Sequence, residues 1–197
     1  MSNNLSVLAM PQIQESTVPD IVESYRDFEP PPNFRQTIGI LIKYVPPKYL
    51  VGLKTIVLTN REGLTRDQRK RKVWSRNRKV QLTDAFGSYY AASKSSQAAV
   101  WLYVDNICSA ESSWWRRVPL LRFMRPSDVL YHEIGHHISK VHKPEHSDRE
   151  NVAEDWSRKL WGRFIRKHYW YLFPLLYALA LLLSPLAKLA KLNSADS

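Results

Sequence analysis

The chain has a single cysteine, Cys108, among its 197 residues. An intrachain disulfide is therefore excluded, and nothing in the cysteine usage indicates an oxidising compartment. One thiolate also cannot form a metal cage, so any zinc ion bound here must be held by histidine and carboxylate groups. The length suits one globular domain with additional tails, and an apolar content of 44% is sufficient for a core.

The N-terminal segment lacks the charged start and long apolar run of a secretory signal. We therefore expect a domain that faces the cytoplasm. Residues 1–33 are interpreted as a flexible arm that ends in three consecutive prolines, with at most a short helix around "IVESYRDF" (21–28). The expected globular domain covers residues 34–165.

Basic residues exceed acidic ones, which gives a formal net charge of +11. Residues 66–79 carry eight basic side chains and one acidic one, and residues 116–125 carry four more basic ones. Such clusters are typical of contact with nucleic acid or with an anionic membrane. We interpret residues 66–79 as a solvated loop between strands, with nucleic acid as an alternative partner.

Charged residues are absent from Tyr169 to Ala187, a run of 19 residues that is near the minimum length for crossing a bilayer. Basic residues precede the run and its first three residues are aromatic, as at a membrane interface. Pro174 and Pro185 interrupt it and argue against an unbroken span. We expect residues 166–192 to form an apolar helical tail that lies on or crosses a membrane, followed by a polar end at 193–197.

Three stretches have the composition of strands. Apolar alternation predicts a strand over residues 53–60, and β-branched and aromatic residues predict a hairpin of 87–93 with 98–107. The segment "QTIGILIKYV" (36–45) fits either a first helix or a first strand.

Two helices are predicted in the second half of the chain. The first begins after Pro126 with Ser127 or Asp128 as its cap, and it ends before Pro144. The second begins near Arg149, with acids in its first turn and bases in its last, which complements the helix dipole.

The first of these helices contains "VLYHEIGHHISKVH" (129–142). Residues four apart lie on one face of a helix, so His132 and His136 can direct both imidazoles at one metal ion. Glu133 lies beside that position, where its carboxylate can accept a proton from a zinc-bound water and pass it to a leaving amine. The H-E-x-x-H pattern therefore predicts a zinc-dependent endopeptidase that acts on proteins or peptides. The simpler alternative is two histidines on a helix surface.

Three residues are candidates for the third zinc ligand. His142 has the spacing of H-E-x-x-H-x-x-G-x-x-H, but Ser139 replaces the glycine that lets the chain turn, and no methionine follows it for a methionine turn. Glu150 and Glu154 lie four residues apart on one face of the next helix. Spacing alone does not separate these two carboxylates, which also suit the start of a helix as capping charges.

The segments "LYHEIGHH" and "ENVAED", preceded by "GSYY" and "AAVWLYVDNI", resemble the gluzincin metallopeptidases, in particular the small single-domain minigluzincins. The resemblance covers about residues 50–165. It implies that Glu150 completes the zinc site and that Glu154, where the family usually has aspartate, supports a ligand histidine. It also implies an α+β fold: a small twisted sheet with both helices packed on one face. Residues 98–104 would be an open edge strand that pairs with an extended substrate.

In that family a histidine or tyrosine of a downstream C-terminal subdomain usually stabilises the transition state, and here we expect the apolar tail in place of that region. The histidines that remain as candidates are His137, His142, His146 and His168. Two other functions stay open: a nucleic-acid-associated protein that uses residues 66–79, and a non-catalytic, zinc-stabilised membrane adaptor. The sequence defines neither the substrate nor the oligomeric state.

Overall fold

The computed structural model describes residues 18–75, 78–109, 118, 121–142 and 149–174. The strands are β1 (Asp20–Ser24), β2 (Leu53–Thr59), β3 (Lys72–Ser75), β4 (Arg78–Gln81), β5 (Gly87–Tyr90) and β6 (Ala98–Tyr103). The helices are α1 (Phe34–Lys43), α2 (Arg66–Arg69), α3 (Val104–Ser109), α4 (Leu121–His142) and α5 (Arg149–His168). The fold is therefore mixed α and β, with a small sheet and packed helices, as the sequence predicts.

The main sheet has four strands in the order β1-β2-β6-β5. β1 and β6 run parallel to β2 on its two sides, and β5 runs antiparallel to β6. The predicted strand at 53–60 and the predicted hairpin are confirmed, although residues 104–109 form α3 rather than a longer strand. α1 connects β1 to β2, because parallel neighbours need a crossover connection.

The two faces of β6 contact different clusters of buried side chains. Val100 and Leu102 belong to the main core, which also includes residues of α1, β2, α4 and α5. Trp101 and Tyr103, which alternate with them, pack with a smaller cluster beneath the β3–β4 hairpin. α4 contacts β5, β6 and α1, and α5 packs along α4.

The expected short helix around residues 21–28 is wrong, because residues 20–24 form β1. The strand is held by contacts that are distant in sequence: the Thr59 hydroxyl donates to the Ser24 carbonyl (2.7 Å). The buried Asn60 amide accepts from the Arg26 N–H (2.9 Å) and donates to the Arg26 carbonyl (2.8 Å). Pairing with β2 therefore overrides local helix propensity. Residues 1–17 of the expected arm lie outside the described part.

The loop expected at residues 66–79 is also wrong, because this segment contains α2 and the β3–β4 hairpin. α2 starts with a capping box: the Thr65 N–H donates to Gln68 Oε1 (2.8 Å) and the Gln68 N–H donates to Thr65 Oγ1 (3.3 Å). Val73 and Val80 pair across the hairpin and pack on the smaller cluster. The basic segment is thus anchored to the sheet.

α4 begins at Leu121 and not after Pro126, which lies inside the helix. Ser127 does not cap the helix, because its hydroxyl donates to the Met124 carbonyl (2.8 Å). Phe123 is fully buried and its ring centroid lies 5.2 Å from that of Phe164. Burial of the Phe123 ring stabilises the helical turn that precedes Pro126. The helix continues through Pro126 although proline has no N–H to donate a helix hydrogen bond.

The predicted tail at residues 166–192 is described only as far as residue 174. Among the residues with a described position, there is no helix that combines the length and the apolar character needed to cross a membrane. Residues 175–197 lie outside the described part. The apolar tail is therefore not confirmed, and membrane contact stays a prediction.

Candidate metal centre

α4 and α5 meet at two small residues, Gly135 and Ala153. A Cβ atom on Gly135 would lie 2.6 Å from the Ala153 carbonyl oxygen and 2.7 Å from its Cα. These distances are shorter than non-bonded atoms adopt, so only glycine permits this approach of the two helix backbones. The contact places the first turn of α5 opposite the H-E-x-x-H turn of α4.

Across this contact the structure brings together His132, His136 and Glu150. The Nε2 atom of His132 lies 3.5 Å from Glu150 Oε2, and the Nε2 atom of His136 lies 3.5 Å from Glu150 Oε1. One ligand atom from each of the three residues lies within 4.8 Å of the others. Both imidazoles therefore point at the same carboxylate from neighbouring turns of one helix.

The group fits a divalent metal ion. Ligand atoms about 2.1 Å from a tetrahedral zinc ion lie about 3.4 Å apart, close to the two nitrogen–oxygen distances of 3.5 Å. Glu150 Oε2 is buried and receives no hydrogen bond from the described residues, which is costly unless a cation compensates it. Imidazole and carboxylate suit Zn²⁺ and also other divalent first-row metals, so the donors define a metal centre but not its metal.

Glu154 lies on the other side of the His132 ring. Its Oε2 atom is 3.8 Å from His132 Nδ1, and its Oε1 atom is 3.8 Å from Arg158 Nε. A carboxylate near Nδ1 favours the tautomer that leaves the Nε2 lone pair free for a metal. This arrangement favours Glu150 as the ligand and Glu154 as the group that orients His132.

The backbone argues against His142 as the third ligand. α4 continues through Ser139 to His142 without the turn that the metzincin pattern requires. At 3.6 residues per turn, position 142 is rotated by about 240° from position 136 around the helix axis. The His142 side chain itself lies outside the described part, as does His146.

Glu133 is buried between α4 and the edge strand β5. A Cβ atom on Gly87 would lie 3.0 Å from Glu133 Cγ and 3.1 Å from Glu133 Oε1. Gly87 therefore allows the backbone of β5 to lie directly against the Glu133 carboxyl group, on the same helix turn as the two histidines.

Glu133, His136 and Glu150 open into a cleft of about 390 Å³. The remaining lining residues come from β3, β5, the loop after β5 and α4: Lys72, Val73, Gly87, Ser88, Tyr89, Ala91 and Lys140. Three of the seven belong to β5, so one side of the cleft follows the edge strand.

The expectation that residues 98–104 form the open edge is wrong. β6 pairs with β2 on one side and with β5 on the other. Within the described part, β5 is the strand at this edge of the sheet, with β6 as its one strand partner. The predicted hairpin already implied that β5, and not β6, is the edge strand, because β5 pairs with the outer side of β6.

Two of the histidines expected as transition-state stabilisers have other contacts. His137 is buried, with Nδ1 3.1 Å from the Tyr89 hydroxyl and Nε2 3.0 Å from the Val51 carbonyl oxygen. His168 stacks on Phe164, with ring centroids 4.9 Å apart. Neither histidine lines the cleft, and nothing in the described part assigns either one the stabilising role.

The environment of His168 perturbs its titration. Its Nδ1 atom lies 2.9 Å from the Tyr44 hydroxyl oxygen. Burial lowers the pKa of His168, and the positive charge of Arg122 lowers it further. Position 168 is also about 27 Å along α5 from position 150, at 1.5 Å per residue.

The fold and this group of side chains define the class of the protein as a mixed α and β domain with a candidate His–His–Glu metal centre. No family model, curated protein or solved structure matches the chain. The likeness to gluzincins therefore rests on the motifs alone.

Proposed function

We propose that this protein is a zinc-dependent metalloendopeptidase of the gluzincin kind. His132, His136 and Glu150 hold Zn²⁺, and Glu133 is the general base. The observation that supports this most is the convergence of both imidazole Nε2 atoms on the Glu150 carboxylate, at 3.5 Å each, in the cleft that also contains Glu133.

A zinc ion in this group would polarise the scissile carbonyl and lower the pKa of water. The carboxylate of Glu133 accepts a proton from the attacking water as its oxygen bonds to the carbonyl carbon. Glu133 then donates that proton to the amide nitrogen as the carbon–nitrogen bond breaks. The step consumes one water and releases a carboxylate and an amine.

The edge strand β5 is the expected docking site for the substrate backbone. An extended peptide adds to a sheet edge through main-chain hydrogen bonds. The absence of a side chain at Gly87 leaves β5 close to Glu133, so a peptide paired with β5 passes beside the general base. The substrate strand of the proposal is therefore a neighbour of β5 and not of β6.

The number of ligands favours catalysis over a purely structural site. Structural zinc sites usually have four protein ligands, whereas catalytic sites have three and leave one position for water or substrate. Among the residues that the structure describes, three side chains form the group. The zinc-stabilised adaptor is the alternative if a fourth protein ligand is found.

The test combines metal analysis with cleavage profiling of the full chain. Zinc content is measured by elemental mass spectrometry, and cleavage is measured as new N-termini in a degenerate peptide library. We expect Glu133→Gln to retain zinc and lose cleavage, and Glu150→Gln to lose both. Asp155→Asn is the matched control, because Asp155 is exposed on the same helix and pairs only weakly with Arg158 (3.6 Å). Cleavage by Glu133→Gln at the wild-type rate contradicts the proposal.

A further inference from the structure

The cleft lined by Glu133, His136 and Glu150 is also lined by two lysines from different elements. Lys72 comes from β3, in the basic hairpin, and Lys140 comes from α4. Lys140 follows His136 by four residues, so it lies one helical turn further along the face that carries His132 and His136.

Neither lysine is neutralised within the described part of the chain. No described carboxylate forms an ion pair with Lys72 or Lys140, and both side chains are exposed to solvent. The acidic residues that line the cleft are Glu133 and Glu150. Glu150 belongs to the metal group, and Glu133 lies against β5 beside it.

The sum of these charges is positive once a metal is bound. Two carboxylates balance one divalent cation, which leaves two ammonium groups in excess. The chain as a whole carries a formal charge of +11, so its long-range field adds to the attraction of anions. A cleft of this kind binds a negatively charged group better than a neutral one of the same shape.

We propose that the cleft selects peptides with an acidic side chain within one or two residues of the cleaved bond, and that Lys72 and Lys140 recognise that carboxylate. This inference rests on the proposed function, since it names the substrate class of the same site. A peptide is favoured over a nucleic acid because the lysines share the cleft with β5, whose outer edge has no strand partner in the described part of the chain and can pair with an extended polypeptide backbone.

Binding to the full-length, zinc-loaded Glu133→Gln variant tests the inference without requiring cleavage. The probes are two fluorescein-labelled peptides that differ only in having two glutamates or two glutamines at the same central positions, together with a single-stranded oligonucleotide of similar length. Affinity is read by fluorescence anisotropy at low and high salt. We expect tighter binding of the glutamate peptide, and we expect salt to reduce the difference.

Lysine substitutions assign the effect to the cleft. Lys72→Gln and Lys140→Gln should each reduce the preference for the glutamate peptide by about twofold to fivefold, the range of a solvent-exposed ion pair. The double substitution should abolish it. Lys54→Gln is the matched control, because Lys54 is exposed on β2 and does not line the cleft.

The possible outcomes separate this inference from the proposed function. Equal binding of the two peptides, or a preference that survives the double substitution, overturns the inference. Tighter binding of the oligonucleotide that depends on the same two lysines also overturns it and assigns the cleft to nucleic acid. A lysine-dependent glutamate preference in a wild-type protein that cleaves no peptide supports the inference as a binding site and contradicts the peptidase.

Discussion

Replacing Gly135 by alanine should weaken metal binding by separating α4 from α5. The added Cβ would lie 2.6 Å from the Ala153 carbonyl oxygen and 2.7 Å from its Cα. An ordinary contact requires about 3.5 Å, so the helix backbones must separate by about 1 Å. The distances of 3.5 Å from the imidazole nitrogens to Glu150 would then lengthen to about 4.5 Å, beyond the separation of ligand atoms around zinc.

The Gly135→Ala substitution has opposing effects on the stability of the fold and a separate effect on zinc affinity. Overpacking costs about 1–3 kcal/mol, and the higher helix propensity of alanine recovers about 1 kcal/mol, so the variant should still fold. A misplacement of about 1 Å in a ligand set should reduce zinc affinity by about 100-fold, as comparable misplacements do in catalysis. Competition with a chromophoric chelator measures this affinity directly.

Gly162 provides the matched control in the same helix pair. Among the described residues, a Cβ atom at this position would meet only the end of the flexible Arg166 side chain, at 3.4 Å. Gly162→Ala should therefore leave zinc affinity unchanged and stabilise the fold by up to about 1 kcal/mol. A folded Gly135→Ala variant that binds zinc as tightly as the wild type does would show that the spacing of α4 and α5 does not control metal binding.

Three further predictions concern the metal ligands, the pH dependence of stability and the first strand. Glu154→Gln should keep zinc with affinity reduced by about 10–100-fold, whereas Glu150→Gln should bind none; chelator competition that ranks the two in the opposite order reverses their roles. Because the pKa of His168 is lowered in the folded state, the unfolded chain takes up the proton first as the pH falls. Stability should thus be highest above the ordinary pKa of about 6.5 and decrease on acidification, and His168→Phe should flatten this part of the profile in chemical denaturation; an unchanged slope contradicts the assignment. Asn60→Ala should destabilise the fold by about 1–3 kcal/mol, since it leaves the Arg26 backbone groups without their partner. Hydrogen exchange should then increase in β1 before the rest of the sheet, and uniform exchange contradicts this.

The histidine pair of the metal group could be predicted from the sequence because its geometry is local. The four-residue spacing of His132 and His136 fixes their common face before any tertiary contact forms. The close approach of α4 and α5 at Gly135 and Ala153 is a finding of the structure. The position of Glu150 relative to Glu154 required the structure, because both carboxylates lie on the same face of α5 and only the packing angle separates them.

Long-range pairing explains what the sequence did not predict. β1 is a strand because β2 and the Asn60 side chain hold it, and these contacts have no local signal. The edge position of β5 depends on strand order, which hydrophobic alternation does not encode. The capping box at Thr65 and Gln68 is a sequence signal for α2. We predicted a loop instead because of the many basic residues in this segment.

The proposed zinc site consists of two imidazoles of α4 and one carboxylate of α5. X-ray absorption at the zinc edge of the full-length protein tests it directly. We expect one zinc ion per chain with only nitrogen and oxygen ligands, two of them imidazoles, at about 2.0–2.2 Å. A sulfur ligand at about 2.3 Å, a single imidazole, or no stoichiometric zinc would contradict it.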